Sequence, residues 1–411
     1  MNKTILLIAL LGMAIACQSQ TATQEATPPE TVADQPIRPG AYQTNAYLPL
    51  LAGKAVALVV NHTSLINQTH LVDSLVALGV NVKQIFAPEH GFRGEAGAGD
   101  VINDSTDPTT GLPIVSLYGK NKKPTPEQLA AIDLVIFDIQ DVGARFYTYI
   151  STMHYVMEAC AEQDKAMLVL DRPNPNGFYV GGPVLQPGVE SFVGMHPIPV
   201  VHGLTVGELA GMINGEGWLT DSAQTDLTVI PVANYSHRDR YSLPVRPSPN
   251  LPNDQAVNLY AALCLLEGTV VTLGRGTDFP FQVYGHPSRA FAEVNSAADT
   301  FSFVPRAIPG VVSSPKHENQ RCYGADLRQV EPLDQFTLKY VLLAHEQARA
   351  GGISDKDFFL TATFRILAGN ETLQQQIAAG QTEAQIKQSW EADLAPYRAM
   401  REQYLLYEDF E

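Results

Sequence analysis

Short apolar runs alternate with helical segments through the first half of this chain, and this alternation most constrains its fold. The five runs lie at residues 54–60, 82–87, 133–138, 166–171 and 198–201. The first of them, KAVALVV, is continuously apolar, as is typical of a strand that is buried on both faces. Between them, HLVDSLVALG has apolar residues at helical spacing and ends at Gly79, and Thr205 and Glu208 form a capping box in TVGELAGMIN. The pattern predicts an α/β fold with a doubly wound parallel sheet.

The rest of the chain has room for a second domain. Hydrophobic residues make up 45% of the 411, which suffices for about two domains of ordinary size. The proline-rich segment at 243–254 is typical of a domain junction. We therefore expect the doubly wound domain at 41–245 and a smaller C-terminal α/β (α+β) domain at 246–411, with helices in DQFTLKYVLLAHEQARA and TEAQIKQSWEADLAPYRAMREQYLLY.

The N-terminus has the pattern of an export signal. A lysine, an apolar run of about ten residues and a small residue at Ala16 precede Cys17. This resembles a bacterial lipoprotein signal at 1–17, with Cys17 as the lipidated residue; an ordinary signal peptide with an incidental cysteine is the alternative. Residues 18–40 are rich in Gln, Thr, Pro and Glu and predict a flexible tether. We expect a lipid-anchored protein of the cell envelope, on the outer membrane and facing the periplasm.

Several function classes are disfavoured by composition and motifs. The net charge of −16 argues against a nucleic-acid partner, which requires a basic surface. The sequence has no G-x-G-x-x-G after the first strand, no phosphate-binding P-loop and no G-x-S-x-G. Cys160, Cys264 and Cys322 are expected to be small buried hydrophobes, and no histidine or cysteine spacing supports a metal site. We expect neither a metal nor another cofactor.

Polar side chains follow each of the five apolar runs. They are Asn61 and His62; Glu89, His90, Arg93 and Glu95; Asp138, Gln140, Asp141 and Arg145; Asp171, Arg172 and Asn174; and His202. Ligands of open parallel sheets bind at the carboxyl ends of the strands. The sequence therefore predicts a polar cleft at that edge.

The carboxylates in this set suit glycosidic bond cleavage, which needs a proton donor and a second group at the oxocarbenium-like centre. Glu89 is the preferred donor because it follows an apolar strand and Pro88, where a drier environment favours the neutral acid. A helix cap or a partner of Arg93 is the alternative for Glu89. Glu95 is a second choice, and Asp138 has an alternative interpretation as a structural acceptor at a strand end.

Other members of the set also have structural interpretations. Asp141 and Arg145 are four residues apart and are spaced to pair with each other. The alternative for His90 and His202 is a packed histidine at the edge of the cleft, which is the more frequent role of a lone histidine. The sequence alone leaves these alternatives open.

Seven motifs in order resemble the NamZ-like exo-β-N-acetylmuramidases. They are APEHGFRGEAGAGD, TGLPIVSLYG, FDIQDVGARFYTYISTM, LDRPNPNG, PVVHGLTVGELA, PSPNLP and EGTVVTLGRGTDFPF. The resemblance implies a Rossmann-like larger domain, a smaller C-terminal domain and an active-site cleft between them. It also implies removal of terminal N-acetylmuramic acid (MurNAc) from MurNAc–GlcNAc saccharides derived from peptidoglycan. The family's catalytic glutamate corresponds to Glu89, while Val271 and Thr272 depart from the family pattern and put only fine substrate preference in doubt.

The resemblance also directs the choice of substrate-binding residues. The lactyl carboxylate of MurNAc should meet an arginine, and the candidates are Arg93, Arg145, Arg172 and Arg275. Tyr147, Asn250 and Thr277, which lie within the quoted motifs, complete the predicted substrate-binding set. A substrate-assisted route is one hypothesis, with Asp138 or Glu95 steadying the acetamido nitrogen. A non-catalytic lipid-anchored glycan-binding protein and an exo-β-N-acetylglucosaminidase are the rival functions.

Overall fold

The computed structural model describes residues 35–93, 103–292 and 301–410. The described residues from Ile37 onward form one compact unit. Its strands are β1 Ala55–Val60, β2 Leu65–Ile66, β3 Thr69–His70, β4 Asn81–Ala87, β5 Ser105–Thr106, β6 Pro113–Ser116, β7 Leu134–Asp138, β8 Ala166–Leu170, β9 Asp226–Ile230, β10 Val283–His286, β11 Ser302–Phe303 and β12 Cys322–Asp326.

The helices surround this framework. They are α1 Thr44–Leu51, α2 Leu71–Ala77, α3 Pro126–Leu129, α4 Tyr149–Glu162, α5 Val206–Gly215, α6 Asp254–Leu263, α7 Lys339–Ala350, α8 Asp355–Phe358, α9 Thr361–Ala368, α10 Thr372–Ala378, α11 Glu383–Gln388 and α12 Glu391–Arg401. In the described part of the chain, no helix is long and apolar enough to cross a membrane.

The main sheet confirms the predicted doubly wound topology. Its seven strands lie in the order β5-β6-β4-β1-β7-β8-β9, and all neighbours are parallel except β5 and β6. The chain moves outward from β1 through β4 to β6, then returns to the other side of β1 at β7. This is the Rossmann strand order, and its reversal point between β1 and β7 is where ligands bind in such sheets.

Both faces of the sheet are covered because alternate strand residues point in opposite directions. Val56, Leu58 and Val60 of β1 pack with α1 and α2, while Ala57 and Val59 pack in the cluster that includes α4 and α5. All five side chains are fully buried. The continuous apolar pattern of the strand follows from this two-sided burial.

The carboxyl ends of the three central strands are level with one another. Val60 of β1 is in register with Asp138 of β7, and Val59 is in register with Phe86 of β4. The segments that follow β1, β4 and β7 therefore start at the same edge of the sheet, as the sequence predicted for this group of polar residues.

The prediction of a strand at 198–201 is wrong. Ile198, Val200 and Val201 are fully buried, but Val201 forms only isolated bridges, with Ala144 and Gly181. The apolar run packs in the hydrophobic cluster that includes residues of α4 and α5, and it takes no place in the main sheet. The outer strand beside β8 is β9, whose half-exposed pattern lacks a continuous apolar run.

The last residues of the predicted tether belong to the folded unit. Arg38 pairs with Ala233 through two backbone hydrogen bonds of 2.9 and 2.8 Å. Gly40 is buried, and its amide donates to the Asp171 carbonyl at 2.8 Å. A Cβ at Gly40 would lie 2.4 Å from the Ile230 oxygen, so glycine permits this close approach.

The C-terminal segment is mixed α/β, with helices around a small antiparallel sheet in the order β10-β12-β11. The predicted helix in DQFTLKYVLLAHEQARA is confirmed as α7, whereas TEAQIKQSWEADLAPYRAMREQYLLY contains two helices, α11 and α12. The chain's described end then packs against the main sheet, where the Tyr407 hydroxyl donates to Asp171 at 2.5 Å.

Candidate active site

A small cavity of about 80 Å³ brings together several of the predicted site residues. It is lined by Glu89, His90, Phe146, Tyr147, Thr148, Tyr149, Ser248, Asn250, Leu251, Tyr260, Arg275 and Phe281. A larger cavity of about 800 Å³ beside α7 contains none of the predicted site residues. Five predicted residues, Glu89, His90, Tyr147, Asn250 and Arg275, thus meet at one place although up to 186 positions separate them in sequence.

Glu89 is aimed into this cavity by a tight turn after β4. His90 and Gly91 have φ values of 70° and 78°, and the Gly91 amide donates to the Pro88 carbonyl at 3.0 Å. The Glu89 side chain is half-buried, and its Oε2 accepts a hydrogen bond of 2.8 Å from the Thr148 hydroxyl. Glu89 is the only carboxylate that lines the cavity among the residues described.

Aromatic rings form the wall beside Glu89. The ring centroid of Tyr147 lies 4.9 Å from that of Tyr149 and 5.7 Å from that of Tyr260, with both pairs edge to face. Burial raises the pKa of Tyr149, and the negative charge of Glu89 raises it further. The phenol therefore stays neutral at ordinary pH, and the wall provides apolar surface with few charges.

Arg275 lies across the cavity on the segment before β10. Its Nε donates to Glu267 Oε1 at 2.8 Å, and its guanidinium carbon lies 4.9 Å from the centre of the Phe281 ring. Burial opposes the charge, but Glu267 raises the pKa of Arg275 above its ordinary value. The cavity thus presents one carboxylate and one permanently charged guanidinium.

Asn250 contributes an unused hydrogen-bond acceptor. Its Nδ2 donates to the Val311 carbonyl at 3.3 Å, while its buried Oδ1 has no hydrogen-bond partner among the described residues. Only 3% of Asn250 is exposed. Buried amide oxygens are rarely left unpaired, so this one is suited to a ligand N–H or O–H.

Asp138 and Arg172 do not line the cavity and instead bind each other. Arg172 Nε donates to Asp138 Oδ1 at 2.6 Å and Nη2 donates to Oδ2 at 2.9 Å, with both side chains almost fully buried. Because β7 and β8 are neighbours, their carboxyl ends bring these residues together. The structure thus supports the structural interpretation of Asp138. The Arg172 guanidinium already donates two hydrogen bonds to this carboxylate.

Arg145 is likewise engaged in structural hydrogen bonds; the prediction that it pairs with Asp141 is wrong, and it does not line the cavity. Its side chain is fully buried and donates to the carbonyl oxygens of Pro183, Ile198, Leu367 and Ala368. Burial lowers the pKa of Arg145 to about 9. The residue ties the segments around α9 to the sheet domain.

Asn61, His62 and Gln140 support the loops at the sheet edge. Asn61 Oδ1 accepts from the amide and hydroxyl of Thr63 at 2.9 and 2.6 Å. His62 Nε2 lies 2.9 Å from the Arg246 carbonyl, and burial lowers the pKa of His62. Gln140 Nε2 donates to the Asp141 and Pro173 carbonyls at 2.9 and 2.7 Å.

Asp141 and His202 lie together behind the aromatic wall. Asp141 Oδ2 accepts from the Gly143 amide at 2.6 Å and lies 3.8 Å from His202 Nε2. His202 Nδ1 accepts from the Leu204 amide at 3.2 Å. Both side chains are buried, and neither lines the cavity.

Arg93 and Thr277 also point elsewhere. Arg93 donates to Asp107 at 3.0 Å, and the Thr277 hydroxyl donates to the Gly274 carbonyl at 2.6 Å within its own turn. Neither residue lines the cavity. The predicted Glu95 and Cys17 lie outside the described residues.

Sequence reasoning missed seven residues of the cavity lining, namely Phe146, Thr148, Tyr149, Ser248, Leu251, Tyr260 and Phe281. Thr148 and Tyr149 belong to the FYTY stretch, in which Thr148 is the N-cap and Tyr149 the first residue of α4. Ser248 stands two positions before Asn250 in a motif that was already singled out. Tyr260 carried no signal, because an aromatic residue in an apolar helix is indistinguishable from an ordinary core residue.

Comparison with known proteins identifies relatives that match nearly the whole described chain. A family model described as "Exo-beta-N-acetylmuramidase NamZ, N-terminal" matches residues 56–255, and the corresponding C-terminal model matches 258–407. The peptidoglycan β-N-acetylmuramidase NamZ of Bacillus subtilis (strain 168) is 38% identical over 379 residues, covering 88% of this chain and 89% of that protein.

Two crystal structures of DUF1343 family proteins from Bacteroides fragilis NCTC 9343 have the same fold. One is 43% identical with a TM-score of 0.82, covering 91% of this chain and all of that chain. The other is 28% identical with a TM-score of 0.77, covering 90% and 99%. The cavity is lined by residues from both family-model ranges, because Tyr260, Arg275 and Phe281 fall in the second.

Proposed function

This chain belongs to the NamZ exo-β-N-acetylmuramidase family, and on that premise we propose that it is a glycosidase that releases terminal MurNAc from the non-reducing ends of peptidoglycan fragments, with Glu89 as its proton donor. The observation that carries the proposal is the position of Glu89, a half-buried carboxyl held by Thr148 inside an aromatic-walled cavity. The departing glycosidic oxygen needs a proton, and this carboxyl supplies it.

The surroundings of Glu89 suit a sugar with an acetamido group. Aromatic rings provide apolar surface for the face of a pyranose, while the unpaired Asn250 Oδ1 accepts an N–H or O–H. These features are those of small-molecule sites, which combine apolar walls with a few placed polar groups.

We further propose that the substrate's own acetamido oxygen acts as the nucleophile. This oxygen bonds to C1 while the C1–O bond to the leaving sugar breaks, and the Glu89 proton passes to the departing oxygen. Water then opens the oxazolinium ring and returns a proton to Glu89. The presence of a single carboxylate in the described cavity lining supports this route. An N-trifluoroacetyl substrate should react far more slowly than its N-acetyl counterpart; equal rates would contradict the route.

The experiment that tests the function is turnover of a chromogenic β-MurNAc glycoside and of MurNAc-terminated peptidoglycan fragments. The wild-type protein should release free MurNAc, and Glu89→Gln should lower kcat by about 10²–10⁴-fold, the typical contribution of an acid catalyst. Thermal unfolding of the variant should match the wild type. A wild-type protein that binds the glycoside but releases no sugar would refute the proposal.

We also propose that the protein is carried to the cell envelope as a lipoprotein, anchored through Cys17 to the outer membrane and facing the periplasm. The apolar N-terminal segment that ends at Ala16 and Cys17 supports this proposal, and peptidoglycan lies in the same compartment. Wild-type protein should fractionate with membranes and incorporate labelled fatty acid, and Cys17→Ser should do neither. Equal labelling of Cys17→Ser would exclude the anchor.

A further inference from the structure

The cavity at Glu89 contains one arginine whose terminal nitrogens are unoccupied. Arg275 uses its Nε to bond Glu267, and its Nη1 and Nη2 have no hydrogen-bond partner among the described residues. About a quarter of its side chain is exposed, so these nitrogens are accessible to a ligand in the cavity. A guanidinium binds a carboxylate best through two parallel N–H bonds.

The other three arginines considered from the sequence are already engaged. Arg145 donates to four carbonyl oxygens, Arg172 binds Asp138 through two nitrogens, and Arg93 binds Asp107 away from the cavity. Arg275 is thus the one member of this group that combines access to the cavity with free donors.

The structure holds the Arg275 guanidinium in one place. Its backbone runs between Gly274 and Gly276, and a Cβ at Gly276 would lie 2.3 Å from the Arg306 carbonyl oxygen. The guanidinium also lies over the Phe281 ring, which limits its movement on one side. An arginine restrained in this way loses little entropy when it binds a ligand.

Glu267 fixes the orientation of the Arg275 guanidinium through the hydrogen bond from Nε. Burial opposes its charge, but Arg275 and Lys316 hold the pKa of Glu267 below its ordinary value. Lys316 Nζ donates to the carbonyl oxygens of Glu267 and Thr269, both at 2.8 Å, and thereby anchors the backbone that carries the glutamate. The ionised Glu267 accepts the hydrogen bond from Arg275 Nε, and the two terminal nitrogens of Arg275 can therefore donate to a ligand.

We propose that Arg275 binds the lactyl carboxylate of MurNAc through its terminal nitrogens, and that Glu267 is the positioning residue that orients it. This inference rests on the proposed function and assigns the feature by which the site distinguishes MurNAc from N-acetylglucosamine. The lactyl group is what MurNAc adds to N-acetylglucosamine, and its carboxylate is the group that an oriented guanidinium recognises. In a protein with a net charge of −16, an anionic substrate needs such a local cation.

The test uses two chromogenic glycosides of MurNAc, one with the lactyl carboxylate and one with a neutral lactamide in its place. The wild-type protein should favour the carboxylate in kcat/KM by about 10- to 100-fold, the range of one charged hydrogen-bonding contact. Arg275→Gln should lose this preference, mainly through KM for the carboxylate substrate. Arg275→Lys keeps the charge without the fork and should retain an intermediate preference, and it serves as the second variant if Arg275→Gln does not fold.

Glu267→Gln separates positioning from catalysis. It should raise KM for the carboxylate substrate about tenfold while kcat and the kinetics of the lactamide change little. Arg328→Gln, at an exposed ion pair with Asp326, is the matched control and should preserve the preference. Undiminished preference in both Arg275→Gln and Arg275→Lys would overturn the inference, whereas absence of wild-type turnover on either glycoside would overturn the proposed function.

Discussion

The Thr148 hydroxyl donates a hydrogen bond of 2.8 Å to Oε2 of Glu89, and this bond joins the segment after β4 to the start of α4. Although Thr148 occupies the N-cap position of α4, its side chain makes no capping hydrogen bond. The hydroxyl is therefore committed to the glutamate. It holds one carboxyl oxygen, and under the proposed function Oε1 is the atom that donates the proton.

Thr148→Val should lower kcat about tenfold with little change in KM, because a hydrogen bond that orients a carboxyl contributes about 1.5–3 kcal/mol at most. The free energy of unfolding should hardly change, since no helix cap is lost. Steady-state kinetics on a MurNAc glycoside measure this effect. Ser151→Ala is the matched control, because the Ser151 hydroxyl on the same helix has no hydrogen-bond partner in the described chain. Equal losses in the two variants would contradict the orienting role.

Asp138→Asn should destabilise the protein by about 3–5 kcal/mol, because it leaves the Arg172 guanidinium charged and buried without its partner. Urea unfolding followed by circular dichroism measures this loss. The exposed pair of Asp326 and Arg328 provides the comparison, and Asp326→Asn should cost less than about 1 kcal/mol.

The same variant distinguishes structure from catalysis at this position. Folded Asp138→Asn should keep kcat within a few-fold of the wild type below its unfolding temperature. A loss of kcat by orders of magnitude at unchanged stability would restore Asp138 to the catalytic role that the sequence suggested.

Gly369→Ala should be more destabilising than Gly380→Ala. Both glycines have positive φ, at 74° and 72°, so alanine pays the same backbone cost of about 1–2 kcal/mol at each. Only at Gly369 does the added Cβ meet another group, at 2.4 Å from Arg145 Nη2. Overpacking against this buried guanidinium, whose two terminal nitrogens are both hydrogen-bonded, should add about 1–3 kcal/mol. Equal free energies of unfolding for the two variants would show that Arg145 can move, contrary to its structural role.

Stability should fall below about pH 6.5 in part because of a buried histidine pair. His196 Nε2 lies 3.1 Å from His154 Nδ1, and burial lowers the pKa of both residues below the ordinary histidine value. The unfolded chain therefore takes up protons near pH 6.5 that the folded chain does not, so acid favours unfolding. The expected slope is at most about 1.4 kcal/mol per pH unit for each histidine.

Urea unfolding at pH 7.5, 6.5 and 5.5 tests this linkage. The free energy of unfolding of wild type should decrease across the lower interval, and the decrease should be smaller for His196→Gln, which removes one of the protonation sites. Identical slopes for the two proteins would mean that His196 titrates alike in the folded and unfolded states.

Apolar runs in the sequence predicted the central strands of the main sheet. β1, β7 and β8 were recognised from apolar runs, because a strand covered on both faces has no polar side, and β4 was recognised from a run that is apolar mainly at its carboxyl end. The same rule failed at 198–201, where an apolar segment is buried under other layers without joining the sheet. β9 was missed for the opposite reason, since two of its five residues, Asp226 and Thr228, are polar and four of the five are exposed or only partly buried.

The sequence by itself determined the doubly wound fold, and it predicted the edge of the sheet where Glu89 and other polar residues meet in a cavity, because these depend on patterns over a few consecutive residues and on motifs. Only the tertiary structure decided which polar residues serve the cavity. Asp138, Arg145 and Arg172 have side chains as suitable for chemistry as those of Glu89 and Arg275. Hydrogen bonds from segments distant in sequence occupy the first three, and no local pattern records where such partners lie.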